Sequence, residues 1–469
     1  MSDSAPHTLT SILAHVFDAD GTLLMPITLS PTQVATLTNE LAALSPTHPD
    51  YARAHTVRVL WAAQHDAWDQ MRTLIPPLNH VDWPALAGNT LSWQTVHALA
   101  DVAHEAGGLS LALTLHQQRL AWQCAQPEDA AMTRQIIATS HEIGTIQQRR
   151  KQLDAAAHTL GDALTRARQL VATHNTPADS ELLSRILVRI GTIAQDRQRY
   201  DEALAAYQED YRVTHQLASQ THSDEHIRGL GLAISNLAHL AILMRNAPQA
   251  KAWFTEHLEL CQQHYARQQN STNRAALLGA QINMGRIDQS MGNHADAIQH
   301  YMESLKTAHQ LLEERGGESD RRTIALIYTA TAASHQQTGN IGAALESLGE
   351  ALQMRRRLSE TLSQRRDVAL TLAQMGGMYQ HIRNLSAAKS AFHEATDIRR
   401  TLVAQHHHPA DLRELALVLS SLGRLAAQTG DHAQATQLAK EAYQVAQQAP
   451  DQLQASEMSA LQQQAQQGG

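Results

Sequence analysis

A small residue followed twelve positions later by an alanine recurs eight times in this chain of 469 residues. The pairs are Ala100/Ala112, Gly144/Ala156, Gly191/Ala203, Ala238/Ala250, Gly285/Ala297, Ala332/Ala344, Gly376/Ala388 and Gly423/Ala435. Successive first members stand 44, 47, 47, 47, 47, 44 and 47 residues apart. A fixed period of this length means one supersecondary unit stacked on copies of itself. Such a chain is an array, and its function is to be sought on surfaces that bind other macromolecules.

The unit around Gly285 shows the plan. Leu278, Ile282 and residues 284–287 put apolar groups on one side of a first helix. Gly292-Asn293 supplies a stop signal, because glycine readily takes the left-handed conformation that ends helices. A second helix then carries Ala297, Tyr301 and Leu305 at i, i+4 and i+8 on one stripe. Elsewhere Leu160, Tyr207, Phe254, Leu348 or Phe392 follows the alanine by four positions; His116 and Ala439 are the exceptions. Turn residues recur as Gly107-Gly108, Gly339-Asn340, Arg383-Asn384 and Gly430-Asp431, with Asn246 and Pro248 in the fourth unit. The reading is close packing: the small residue lets the second helix approach, its alanine meets that point, and the larger side chain fills the gap towards the next unit. Gly285→Leu or Ala297→Leu should then overpack the pair by roughly 1–3 kcal/mol.

Composition agrees with helices packed through small side chains. Only 4% of residues are aromatic, against a hydrophobic fraction of 43%, which is enough to bury a core. A net charge of −8 argues against non-specific nucleic-acid binding, which needs a basic footprint. Cys124 and Cys261 make no disulfide framework and no CxxC site, which suits a reducing compartment. No basic-then-apolar leader and no run of 18 apolar residues occurs, so the expected setting is cytoplasmic, with no membrane span.

The pattern resembles the tetratricopeptide repeat, which has a small residue on its first helix, an alanine twelve positions on and an aromatic four further. The period exceeds the family's usual 34 residues. It is similar to the long-helix variety of kinesin light chains and of bacterial signalling proteins with ATPase domains, to which residues 344–358 and 388–402 are especially alike. The resemblance covers residues 89–449. It implies an all-α, right-handed superhelix of about eight helix pairs. The proline that often closes the family's second helix is generally missing, and Thr331 and Asp288 stand where apolar residues are expected.

Residues 1–88 lie outside the period as a small N-terminal module. Residues 12–17 and 22–27 read as a hairpin through Asp20-Gly21. Residues 30–44, 49–64 and 67–75 read as helices, the first capped by Ser30 with Pro31 at its start, and Pro76, Pro77 and Pro84 mark the join to the array. Residues 450–467 read as a capping helix with Leu453, Met458 and Leu461 inward, ahead of a frayed Gly468-Gly469.

Residues 16–23, Val-Phe-Asp-Ala-Asp-Gly-Thr-Leu, resemble the nucleophile loop of haloacid-dehalogenase-type phosphatases. By that resemblance Asp18 would attack phosphorus and Asp20 would act as acid/base. The family also needs a parallel sheet, whereas the residues that follow here read as helical, so a hairpin turn is the preferred reading. His406, His407 and His408 read as an inter-repeat loop rather than a metal site. Cys124 and Cys261 read as buried small hydrophobes on second helices. No cofactor or metal is expected.

Arg321, Arg322, Arg355, Arg356, Arg357, Arg365, Arg366, Arg399 and Arg400 include pairs 44 apart, so they should form a basic stripe across neighbouring units. One reading is a docking belt for an acidic partner. The preferred one is a solvated outer face balanced by Glu350, Glu360, Asp367, Glu394 and Asp397.

First helices of stacked pairs line the concave side. Residues one, four and five places after the small residue should project there. They include Thr145, Gln148, Arg149, Thr192, Gln195, Asp196, His239, Arg286, Gln289, Ser290, Gln336, Gln337, Gln380, His381, Arg424 and Gln428. Amides dominate and no matched acid/base pair stands among them. The expected function is a non-catalytic scaffold or adaptor holding a protein or peptide in this groove. The alternatives are a partner- or peptide-sensing signalling regulator and a small phosphatase using Asp18 and Asp20.

Overall fold

The computed structural model describes residues 8–45, 48, 50–86, 91–358 and 361–467. Asn89, where the array was expected to begin, lies outside them, as do Pro49, Glu360 and the Gly468-Gly469 tail. Apart from one isolated antiparallel bridge, Phe17 to Leu23, the secondary structure among the described residues is helical.

The chain divides into two compact units, residues 1–244 and 245–469. The first begins with α1 (Leu9–Val16), α2 (Pro31–Ala43), α3 (Tyr51–Gln64), α4 (Trp68–Leu78) and α5 (Trp83–Leu86). It continues with α6 (Trp93–Glu105), α7 (Leu109–Cys124), α8 (Ala130–Arg149), α9 (Leu153–His174), α10 (Pro177–Asp196), α11 (Tyr200–Thr221) and α12 (Asp224–Leu243). The second holds α13 (Ala247–Arg267), α14 (Ser271–Ser290), α15 (His294–Arg315), α16 (Glu318–Gln337), α17 (Ile341–Arg356), α18 (Leu362–His381), α19 (Leu385–His406), α20 (Pro409–Gln428) and α21 (His432–Ala446). A 3-10 turn (Pro450–Gln452) and α22 (Ala455–Gln467) close it, with Leu453 and Leu461 buried and Met458 half-buried. Within each unit, consecutive helices pack as pairs and each pair packs on the next.

In seven of the eight cases the small residue lies on the first helix of a pair and the alanine on the second, while Ala238 lies on α12 of the first unit and Ala250 on α13 of the second. The glycines, however, do not mainly face those alanines. A methyl group placed on Gly191 would stand 2.3 Å from Tyr207, and on Gly285 it would stand 2.5 Å from Tyr301. On Gly376 it would meet Phe392 and on Gly144 it would meet Leu160, each at 2.7 Å. On Gly423 it would instead meet Gln464, the Ala435 carbonyl and Leu438. In the four pairs of Gly144, Gly191, Gly285 and Gly376 the residue four after the alanine therefore packs over the glycine of its own pair, where it was expected to fill the gap to the next unit. The alanines at 156, 203, 250, 297, 344 and 388 are fully buried beside it.

The two spacings have a physical origin. Second helices α7 and α17 each have 16 residues, whereas α9, α11, α15 and α19 each have 22. Losing helix from α7 and α17 brings the following small residue closer in sequence, which accounts for both 44-residue steps.

Seven positions after each small residue stands a residue with positive φ. It is glycine at 107, 292, 339 and 430, but Lys151, Gln198, Arg245 and Arg383 at the other four. Two exceptional polar positions are explained locally. Thr331 is buried and donates its hydroxyl to the Ile327 carbonyl at 2.9 Å. Asp288 is fully buried, and its carboxylate accepts from Lys251 Nζ of α13 at 2.6 Å.

The N-terminal region differs from the hairpin expected. Residues 9–16 form helix α1, capped by the Thr8 hydroxyl, with Leu9, Ile12, Leu13 and Val16 buried at helical spacing. Only the Phe17–Leu23 bridge remains of the hairpin. Ser30 and Gln33 form a reciprocal capping box ahead of α2, with Pro31 at its first position. Pro76 and Pro77 lie inside the last turn of α4 rather than beyond it. One apolar core runs from Leu9 through Trp83, Leu99 and Leu111 to Ile146, so these helices share the core of the first pairs. The Leu23 amide donates to Thr95 Oγ1 of α6 at 2.9 Å, fixing the contact.

Candidate functional site

The side chain of the residue four places after the small residue decides what the first helices present to solvent. Five of the eight positions are glutamine: Gln148, Gln195, Gln289, Gln336 and Gln380. In the first unit, Gln148 donates to Asp196 Oδ2 at 2.8 Å across one repeat, and Arg189 donates back to Gln148 Oε1 at 3.2 Å. In the second, Gln289 donates to Ser334 Oγ and to the Ala330 carbonyl, and Gln380 donates to Gln428 Oε1 at 2.7 Å. Of the residues that sequence placed on one face, these contacts join Gln148 to Asp196 and Gln380 to Gln428.

The buried ring and the exposed amide are one device. Tyr207 lies over Gly191 and its hydroxyl donates to Gln195 Oε1 at 2.6 Å. Tyr301 does the same to Gln289 at 3.1 Å. Phe392 has no hydroxyl, and Gln380 in its repeat turns to the neighbouring Gln428 instead.

Other members of the expected groove are spent locally. Thr145, Thr192 and Ser290 return their hydroxyls to carbonyls of their own helices at 2.8–2.9 Å, and His239 bonds the Ser235 carbonyl. Arg424 donates to Ser421. Arg149, Arg286, Gln336, Gln337 and His381 are exposed and hold no side-chain hydrogen bond or ion pair among the described residues. Leu326 and Leu370, six positions before their small residues, are 63% and 41% exposed, adding an apolar element that sequence reading missed.

The arginines expected as a surface stripe separate into different environments. Arg355 and Arg399 are buried, a correction to their surface placement. The reason lies in internal acceptors. Arg355 donates to Thr371 Oγ1, and Arg399 shares Asp411 with Arg366, whose Nε donates at 2.8 Å. Burial pushes the Asp411 carboxyl up, but the Arg366 hydrogen bond and both guanidinium charges prevail and hold it below the usual range. Arg356 pairs with Glu394, Arg400 with Glu441 and Arg322 with Glu318, while Arg321 donates to the Gly316 carbonyl. Arg357 is exposed, and Arg365 lines a shallow cavity of about 250 Å³ beside Arg356 and Ile398.

Asp18 follows a helix rather than a strand. Its carboxylate accepts the backbone amides of Asp20 and Thr22 at 3.0 and 2.7 Å, so it builds the turn. No parallel sheet exists among the described residues to complete a phosphatase centre. The histidine tract also serves local structure: His407 ends α19 with positive φ, and His408 Nδ1 accepts from the Ala410 amide ahead of α20. Cys261 is buried, with its thiol pushed up to about 11 by desolvation, whereas Cys124 is exposed at the end of α7, contrary to expectation. By length and composition α12 alone among the described helices is apolar enough to cross a membrane; its Leu230, Ala233, Ile234 and Leu237 are buried.

The densest cluster of titratable groups was missed. A cavity of about 450 Å³ between α6, α7 and α8 is lined by His97, Asp101, His104, Glu105, Arg119, Thr139 and Glu142 among others. Asp101, His104 and Glu105 stand one, four and five places after Ala100, so the positional rule that selected the other groove residues also selects these. Burial, reinforced by Glu142 and Glu105, pushes the Asp101 carboxyl up to about 6. Glu142 is held below its usual range by the hydrogen bond from His141. His116 occupies the ring position of this pair, and desolvation lowers it to about 4.

No protein-family model matches the chain, and no curated protein does. Among solved structures, it is similar to BtubC (BKLC) from P. vanneervenii at 22% identity and a TM-score of 0.41, over 52% of this chain and 90% of that one. It is also similar to a signal-transduction ATPase with a tetratricopeptide repeat sensor from Pyrococcus horikoshii, at 12% identity and a TM-score of 0.49. That match covers 90% of this chain but only 56% of the other. The apo form of RapI is similar at 10% identity and a TM-score of 0.47, over 80% of this chain and 97% of that one. The fold is an array of helix pairs, as the repeat itself requires.

Proposed function

We propose that the chain is a non-catalytic scaffold that holds a protein or peptide partner along the first-helix face of its repeats. The observation that carries this reading is the row of glutamines four places after the small residue. An extended ligand lying across first helices meets an amide at the same level in five of the eight repeats, and amides both donate to and accept from a peptide backbone. Arg149 and Arg286 add charges without partners among the described residues, and Leu326 and Leu370 add apolar contact. Two free cysteines fit a reducing, cytoplasmic setting.

Placing a photo-crosslinking amino acid at Arg286, on this face, and at Met302, exposed on a second helix, tests the reading. The partner should be captured from position 286 and not from 302. Capture from 302 alone contradicts the groove.

A further inference from the structure

The cavity between α6, α7 and α8 has the makings of a small-molecule site, separate from macromolecular docking. Three observations stand together. First, Thr139 lines the cavity with only 2% of its surface exposed, and its hydroxyl oxygen has no hydrogen-bond partner. A buried hydroxyl left unsatisfied is destabilising, so a ligand that bonds it recovers that loss.

Second, the fixed charges of opposite sign are kept apart. Arg119 and Asp101 both line the cavity and each feels the other's charge, yet they form no ion pair. Arg119 holds no hydrogen bond or ion pair among the described residues. An unpartnered guanidinium beside a cavity is a fork shaped for a carboxylate.

Third, the ion-pair contacts of the acidic side are with histidine, while Arg119 acts on Asp101 and Arg189 on Glu142 only as more distant charges. Asp101 Oδ1 stands 3.4 Å from His97 Nδ1 and 3.9 Å from His116 Nε2, while Glu142 Oε2 stands 4.0 Å from His104 Nδ1. Burial disfavours both His97 and His116 as cations, so these rings compensate the carboxylates poorly near neutral pH. The upward displacement of the Asp101 carboxyl comes first from burial and then from the Glu142 charge, which the Arg119 charge does not outweigh.

We infer that this cavity binds a small zwitterion of the α-amino acid class, its carboxylate on Arg119 and its ammonium between Asp101 and Glu142, with Thr139 bonding a ligand oxygen. A volume of about 450 Å³ leaves room for a side chain beside the charged ends.

The test is thermal shift followed by isothermal titration calorimetry on the full chain with each standard L-α-amino acid at millimolar concentration. At least one should raise Tm, and its decarboxylated amine and deaminated acid should each bind at least about tenfold more weakly, as loss of one charge-assisted contact requires. Arg119→Gln should erase the preference over the amine, Asp101→Asn the preference over the deaminated acid, and Arg150→Gln, outside the cavity, should change neither. Thr139→Val keeps the side-chain volume and should weaken binding several-fold, which guards against a variant that merely unfolds. No stabilisation by any amino acid, or an amine that binds as tightly as its parent, overturns the inference.

Discussion

Gly191 lies directly under the ring of Tyr207, so close that a single methyl group there would stand 2.3 Å from Tyr207 Cε1. From Cζ, at the same edge of that ring, the hydroxyl reaches Gln195 on the same first helix. Packing inside a pair and polarity outside it are therefore set by one side chain. Tyr207→Phe should cost about 1 kcal/mol in urea unfolding, the worth of one hydrogen bond, and should release Gln195. A cost no greater than experimental error would mean that the bond is not formed.

Asp411 separates buried from exposed ion pairing. Asp411→Ala leaves Arg399 buried without its carboxylate and should destabilise by about 3–5 kcal/mol. Glu441→Ala removes an exposed partner of Arg400 and should cost less than about 1 kcal/mol. Because the Asp411 carboxyl is depressed in the folded state, its contribution is present above the ordinary carboxylate range and is lost as pH falls through the lower folded value. Chemical denaturation of both variants across acidic pH checks the order and the sign.

Asp210 has the opposite sign. It is buried, and desolvation pushes its carboxyl up to about 6 although Ser184 donates to it. Between the unfolded value and about 6 the native state binds the extra proton, so stability falls as pH rises through that window. Asp210→Asn abolishes this slope. The stability difference between wild type and variant should move in the variant's favour by about 2–3 kcal/mol from about pH 4 to about pH 7.

Much of this was legible in sequence because the physics is local and periodic. Small residue, alanine and large side chain recur in register, and glycine or asparagine marks several turns. The turns at Lys151 and Gln198 were not legible, since neither residue favours positive φ and only the helix pair imposes it. Helix α1 was misread because Phe17, Asp20 and Gly21 carry hairpin chemistry, while the i, i+3, i+4, i+7 spacing of Leu9, Ile12, Leu13 and Val16 was the stronger signal. The burial of Arg355 and Arg399 depends on acceptors from the following helices, Thr371 and Asp411, which spacing alone does not reveal. The α6–α8 cavity needs Arg119 from a second helix, a position outside the first-helix rule.

The left-handed turn residues yield a prediction of their own. Gln198→Gly should stabilise by roughly 0.5–1 kcal/mol, since glycine meets no Cβ penalty at φ 58°. Arg245→Gly should behave likewise. Thermal unfolding checks both, and a loss of stability would mean that the side chain makes contacts worth more than the backbone strain.

The most direct measurement compares two glycines of one helix. In α14, a methyl on Gly279 meets nothing within 4 Å, whereas on Gly285 it meets Tyr301 at 2.5 Å. Helix propensity alone favours alanine at both sites by about 1 kcal/mol. The predicted result in urea unfolding is that Gly279→Ala stabilises by up to about 1 kcal/mol while Gly285→Ala destabilises by about 1–3 kcal/mol through overpacking. A Gly285→Ala protein as stable as wild type, or more stable, would contradict the ring-over-glycine crossing that Gly285 shares with Gly191 and Gly376.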